Sequence, residues 1–148
     1  MKKVFLHFVM CLIGLTAFHT GISAQSSNPY TEGSVWNIQY VQTKSGMYDK
    51  YLSDLSTHWA KTLTAAKEKG YILGYKIFSA QPGSTSDWDL MLLIEVKNFA
   101  ALDGFNDKMD KIALELLGTE DKQHTEAINR NDMRTLMGSK IARELHFK

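Results

Sequence analysis

The sequence predicts an α+β domain: a four-stranded antiparallel sheet with its helices on one face. Three observations carry this. Four short stretches are rich in β-branched and aromatic residues with a period of two. Two longer stretches keep a helical period. Their order along the chain is β-α-β-β-α-β, so two strand–helix–strand units with right-handed crossovers build one sheet.

The first 24 residues stand outside that domain. Lys2 and Lys3 precede an apolar run, Val4 to Phe18, interrupted by His7, Gly14 and Thr16. Gly21-Ile22-Ser23-Ala24 then supplies small residues before Gln25. This is the anatomy of a secretory signal, and the run is short for a membrane span. The expectation is an exported protein, periplasmic or extracellular, without a stable membrane anchor. The leader holds two bases and no acid. Residues 25–148 therefore carry 15 basic against 16 acidic side chains, a net charge of −1. That balance gives no electrostatic reason to expect nucleic acid as a partner. Cys11, in the middle of the apolar run, is the only cysteine. Disulfides, thiolate catalysis and cysteine-ligated metals are thus excluded from residues 25–148.

Gln25 to Ser34 is polar, with Asn28-Pro29 and Gly33, and reads as a flexible arm. Val35 to Thr43 alternates as a first strand. Its apolar set, Trp36, Ile38 and Tyr40, is expected to face the helices, with Asn37, Gln39 and Val41 on the open face. Ser45-Gly46 opens a helix in which Tyr48, Leu52, Leu55, Trp59, Leu63 and Ala66 recur every three or four residues. Gly70 stops it. Tyr71 to Ala80 is a second strand, residues 82–86 a turn, and Trp88 to Val96 a third strand. Asn98 is a candidate N-cap for a second helical region, in which Phe105, Met109, Ile112 and Leu116 keep the period up to Gly118. Thr119 to Leu136 is charged and sparsely apolar, so it reads as a solvated face or, alternatively, a lid. Lys140 to Phe147 is the fourth strand.

Helices can cover only one face of such a sheet. The other would hold Lys76, Phe78, Met91, Leu93, Glu95, Glu144 and His146, besides the polar half of the first strand. That mixture is too apolar for water and too charged for a dry core. Two copies meeting sheet to sheet would satisfy both kinds of residue, and a homodimer is expected.

With these elements in place, the chain resembles the ferredoxin-like plait and, within it, the dimeric α/β-barrel superfamily. It is similar to exported bacterial proteins of unknown function. The resemblance rests on Trp36, Tyr51 with Trp59, Gly70, Trp88-Asp89 and Arg143-Glu144-Leu145. It implies a sheet-to-sheet dimer. The superfamily includes cofactor-free monooxygenases, haem-degrading enzymes, stress-response proteins and ligand sensors, so it selects no single function. The haem-degrading members need an axial histidine at a defined helix position, and no match for it is placed here.

Residues 25–148 hold three histidines, His58, His124 and His146, none with a second histidine within four positions. No metal site and no cofactor are expected from these spacings. Nucleophile-elbow, zincin, phosphate-loop and dinucleotide motifs are all missing. Asp54 lies four residues before His58 on the first helix, where its carboxylate can orient the imidazole. This pair is either a surface ion pair or a base acting on an acidic C–H or phenol. Tyr48, Tyr51, Trp59 and Tyr75 either pack the core or line a pocket. Arg143 shares a phase with Ile141, Leu145 and Phe147, so it needs either a carboxylate partner or a bound anion. The function expected is binding of a small apolar or aromatic ligand. The alternatives are a cofactor-independent monooxygenase- or isomerase-like enzyme, with His58 as base, and a structural protein without a pocket.

Overall fold

A computed structural model of the chain describes residues 28–148; the segment expected to be an export leader, residues 1–24, lies outside them. The described elements are β1 (Tyr30–Thr43), α1 (Tyr48–Asp54), a π-helical turn (Leu55–Trp59), α2 (Ala60–Glu68), β2 (Gly74–Ser79), β3 (Leu90–Val96), a 3₁₀ turn (Phe99–Leu102), α3 (Phe105–Leu117), α4 (Glu120–Met133) and β4 (Arg134–Phe147). The strands form one sheet in the order β2-β3-β1-β4, and every pairing is antiparallel. This is the ferredoxin-like plait. No helix among the described residues is long and apolar enough to cross a membrane.

Two apolar clusters join the helices to one sheet face. Val35 and Val96 pack with Leu63, Ala66, Phe105 and Ile112 at one end. Val41, Leu90 and Leu92 pack with Tyr51, Leu55 and Met133 at the other. The helices thus span β1 and β3, while β4 lies almost wholly exposed along its length.

Residues 30–34, expected in the flexible arm, are strand: Tyr30 pairs with Phe147, and Glu32 with Leu145. β1 then shifts register between Glu32 and Val35. Gly33 sits at that shift, where an added Cβ would lie 2.6 Å from Nε2 of the exposed His146 ring, which would have to turn aside. β4 begins at Arg134 rather than Lys140, and Gly138, opposite Tyr40, takes φ +142° beside a second register shift. Residues 120–133 are helix.

The side-chain phase of β1 is the reverse of the expected one. Val35 and Val41, both 0 % exposed, point to the helices, and Asn37 and Gln39 share their side. Trp36, Ile38 and Tyr40 lie on the open face, where the Lys76 ammonium sits 4.9 Å from the Trp36 ring. An apolar-inward rule fails on β1 because both faces of this strand receive apolar contacts. The polar centre, Asn37 and Gln39, is the half that meets the helices.

The π turn is a second difference. Its Ala60 N–H reaches back to the Leu55 carbonyl, one residue further than in an α-helix. Within these first turns Tyr51 is buried at 1 % exposure, while Tyr48 packs only partly buried against the same cluster. Asn98 caps as expected, its side chain accepting from the Ala101 N–H at 3.1 Å, although the element it caps is the short 3₁₀ turn.

Candidate functional site

A cavity of about 310 Å³ opens between the sheet and the helices. Gln39, Leu92 and Ile94 form its floor. The π turn and α2 contribute Leu55, His58, Trp59, Thr62 and Leu63, and α3 contributes Met109, Ala113 and Leu117. α4 closes the remaining side with Lys122, Gln123, Glu126 and Arg130, and Arg134 follows at the start of β4. Lys122, Glu126 and Arg130 recur every four residues, so helix geometry brings them along one side of α4. Thr119 starts this helix, its hydroxyl accepting from the Lys122 N–H.

The polar groups converge at one end. His58 Nδ1 lies 2.9 Å from Asp54 Oδ1, the pairing expected from their spacing. The Arg130 guanidinium is 3.9 Å from the same oxygen. Glu126 places a carboxylate oxygen within 4.8 Å of the Asp54 and His58 donor atoms. A grouping of residue types that can hold a metal ion is therefore present among the described residues. Its third member comes from another helix, which local spacing does not reveal.

Two features of this end stand out energetically. Arg134 Nε and Nη1 are buried without a hydrogen-bond partner among the described residues, and so is Asp54 Oδ2. Buried donors and acceptors left unpaired are costly, and charged ones most of all. The Arg134 guanidinium lies 5.5 Å from the Tyr51 ring, which supports it from one side. Burial pushes the Tyr51 phenol above its ordinary pKa; Arg134 opposes that shift and Asp54 reinforces it. Tyr51 therefore stays protonated at neutral pH, a neutral group between a cation and a carboxylate. In all, the lining carries two carboxylates against three cationic side chains.

Of the residues singled out from sequence, the structure brings Tyr51, Asp54, His58 and Trp59 into this cavity. Tyr75 lies behind it, edge-on to Trp59 with ring centroids 5.3 Å apart, and shares a hydrogen bond with Thr64. Tyr48 bonds Ser79 at 2.7 Å beside a separate shallow groove. Arg143 is remote from the cavity. Its guanidinium pairs with Glu32 on the neighbouring strand and stands 4.6 Å from the Phe99 ring, the salt-bridge alternative. Asp89 has a structural task, accepting from the Thr43 N–H at 3.0 Å and from the Thr43 hydroxyl. Gln39, Glu126, Arg130 and Arg134 were not legible as site residues. Charges four apart on a polar helix ordinarily mark a solvated face, and only the fold turns these toward a cavity.

No protein-family model matches this chain, and no curated protein does. Among solved structures, the crystal structure of HapK from Hahella chejuensis is similar at 12 % identity, with a TM-score of 0.49. The similarity covers 74 % of this chain and 91 % of that one.

Proposed function

We propose that the protein binds a small, partly apolar or aromatic molecule bearing an anionic group, and that it does so as a homodimer. The observation that carries the binding reading is Arg134, which lines a cavity whose floor and sides are largely apolar and has two buried nitrogens without a hydrogen-bond partner among the described residues. A carboxylate, or another planar anion, supplies what a guanidinium leaves unsatisfied. Leu92, Ile94, Trp59 and Met109 supply an apolar seat for the rest of the ligand. Export through a cleaved leader is part of this reading and rests on the basic, apolar and small-residue segments of residues 2–24.

The dimer is supported by the corrected β1 phase. The open face holds Trp36, Ile38, Tyr40, Phe78 and Met91, partly or largely exposed, around an already buried Leu93, a more apolar set than the alternation of β1 suggested. Phe78 is 48 % exposed in the single chain. A second copy, packed sheet to sheet to close a barrel, would cover this face.

The binding reading is tested with matched pairs of aromatic carboxylates and their uncharged amides, measured by calorimetry. Carboxylates are expected to bind at least about tenfold more tightly, the worth of a charge-assisted hydrogen bond. Arg134→Gln is expected to erase that preference while apolar binding persists. Equal affinity for acid and amide in the wild-type protein would overturn the reading.

A further inference from the structure

We propose that Asp54, His58 and Glu126 form a binding site for a divalent transition-metal ion at the polar end of the cavity. One imidazole nitrogen and two carboxylate oxygens are a donor set that suits Zn²⁺, Fe²⁺ or Mn²⁺. Their donor atoms lie within 4.8 Å of one another, and Asp54 Oδ1 and His58 Nδ1 are 2.9 Å apart, a separation two ligands of one ion adopt.

The independent observation is Asp54 itself. Its side chain is 9 % exposed, and its Oδ2 has no hydrogen-bond partner among the described residues. A carboxylate held out of water with one oxygen unpaired is destabilising unless a cation completes it. Arg130 compensates only in part, since it stands 3.9 Å from the other oxygen, Oδ1. Its side chain is 25 % exposed, so it can turn outward when an ion takes up the carboxylate charge. With three protein ligands, the ion keeps at least one position open to water or another ligand, the arrangement of catalytic rather than structural sites. His58 bound to an ion is no longer a free base, so this site replaces the proton-accepting role that the Asp54–His58 pair alone would suggest.

The test is titration of the untagged, metal-stripped protein with Zn²⁺ and separately with Mn²⁺. One saturable equivalent per chain is expected, with Zn²⁺ bound more tightly than Mn²⁺. Asp54→Asn and Glu126→Gln are each expected to weaken Zn²⁺ binding by roughly tenfold or more. Glu126 lies on the outer helix, so Glu126→Gln serves even if the Asp54 variant folds poorly. Arg130→Gln is expected to tighten binding by roughly tenfold, because it removes a like charge beside the ion. Arg134→Gln is not expected to weaken it, which separates this site from the anion site. No saturable binding, or Zn²⁺ affinity unchanged in Glu126→Gln, would overturn the proposal, as would weaker binding in Arg130→Gln.

Discussion

Phe78→Asp is expected to leave the chain folded and to convert a dimer into a monomer. Phe78 lies on edge strand β2, opposite Met91 of β3, and is half exposed in the single chain. Replacing it removes little packing within one copy. At a sheet-to-sheet interface the same change has a large effect: two copies of a carboxylate would lie among Tyr40, Met91 and Leu93 without partners. Burying an unpaired charge costs several kcal/mol, roughly the scale that moves an association constant by several powers of ten. Sedimentation equilibrium at micromolar concentration checks this. A wild-type protein that already sediments as a monomer would remove the dimer from the account.

Leu90→Ala is expected to cost about 2–5 kcal/mol of folding stability. Leu90 is 0 % exposed and sits in the cluster with Val41, Tyr51, Leu55 and Met133. That cluster holds the end of α4 against the sheet, and Arg134 follows Met133 directly. The cost has two sources, lost burial of the side chain and a cavity that a rigid sheet cannot close. Urea unfolding monitored by tryptophan fluorescence gives the value. The matched change at Leu136, which is 50 % exposed, is expected to cost well under half as much.

The contrast between these two leucines also shows what local sequence can report. β3 was legible because each alternate residue from Leu90 to Val96 is apolar and the helices cover that side. The Asp54–His58 pair was legible for a similar reason, since four residues apart on a helix is a fixed geometry. The phase of β1 is the opposite of the one its alternation predicts. Trp36, Ile38 and Tyr40 form its most apolar set, yet the helices pack on Val35 and Val41 and leave Gln39 at the floor of a cavity. Alternation tells which residues share a face; it does not tell which face the helices take when both are apolar. The π turn was equally hidden, because one extra residue in a continuous helix leaves its period nearly intact.

The site is harder to read than the fold for a related reason. Arg143 drew attention because a cation in an apolar phase demands a partner, and Glu32 meets that demand across the strand pair. Arg134 drew none, because it follows a polar helix whose charges looked solvated. What distinguishes the two arginines is tertiary. Arg143 has an acidic neighbour on the adjacent strand and leaves only its Nε unpaired, whereas Arg134 ends beside a buried phenol with two nitrogens unpaired. Glu126, likewise, gains its meaning only from the packing of α4 against α1 and the π turn.

The central claim is that this cavity holds a small anionic molecule against Arg134. Native mass spectrometry of the protein isolated from its own host tests it most directly. The account predicts a discrete mass adduct on the wild-type protein, released on denaturation as a small acid, and its loss in Arg134→Gln. An adduct-free wild-type spectrum, or the same adduct retained at undiminished occupancy in Arg134→Gln, would contradict it.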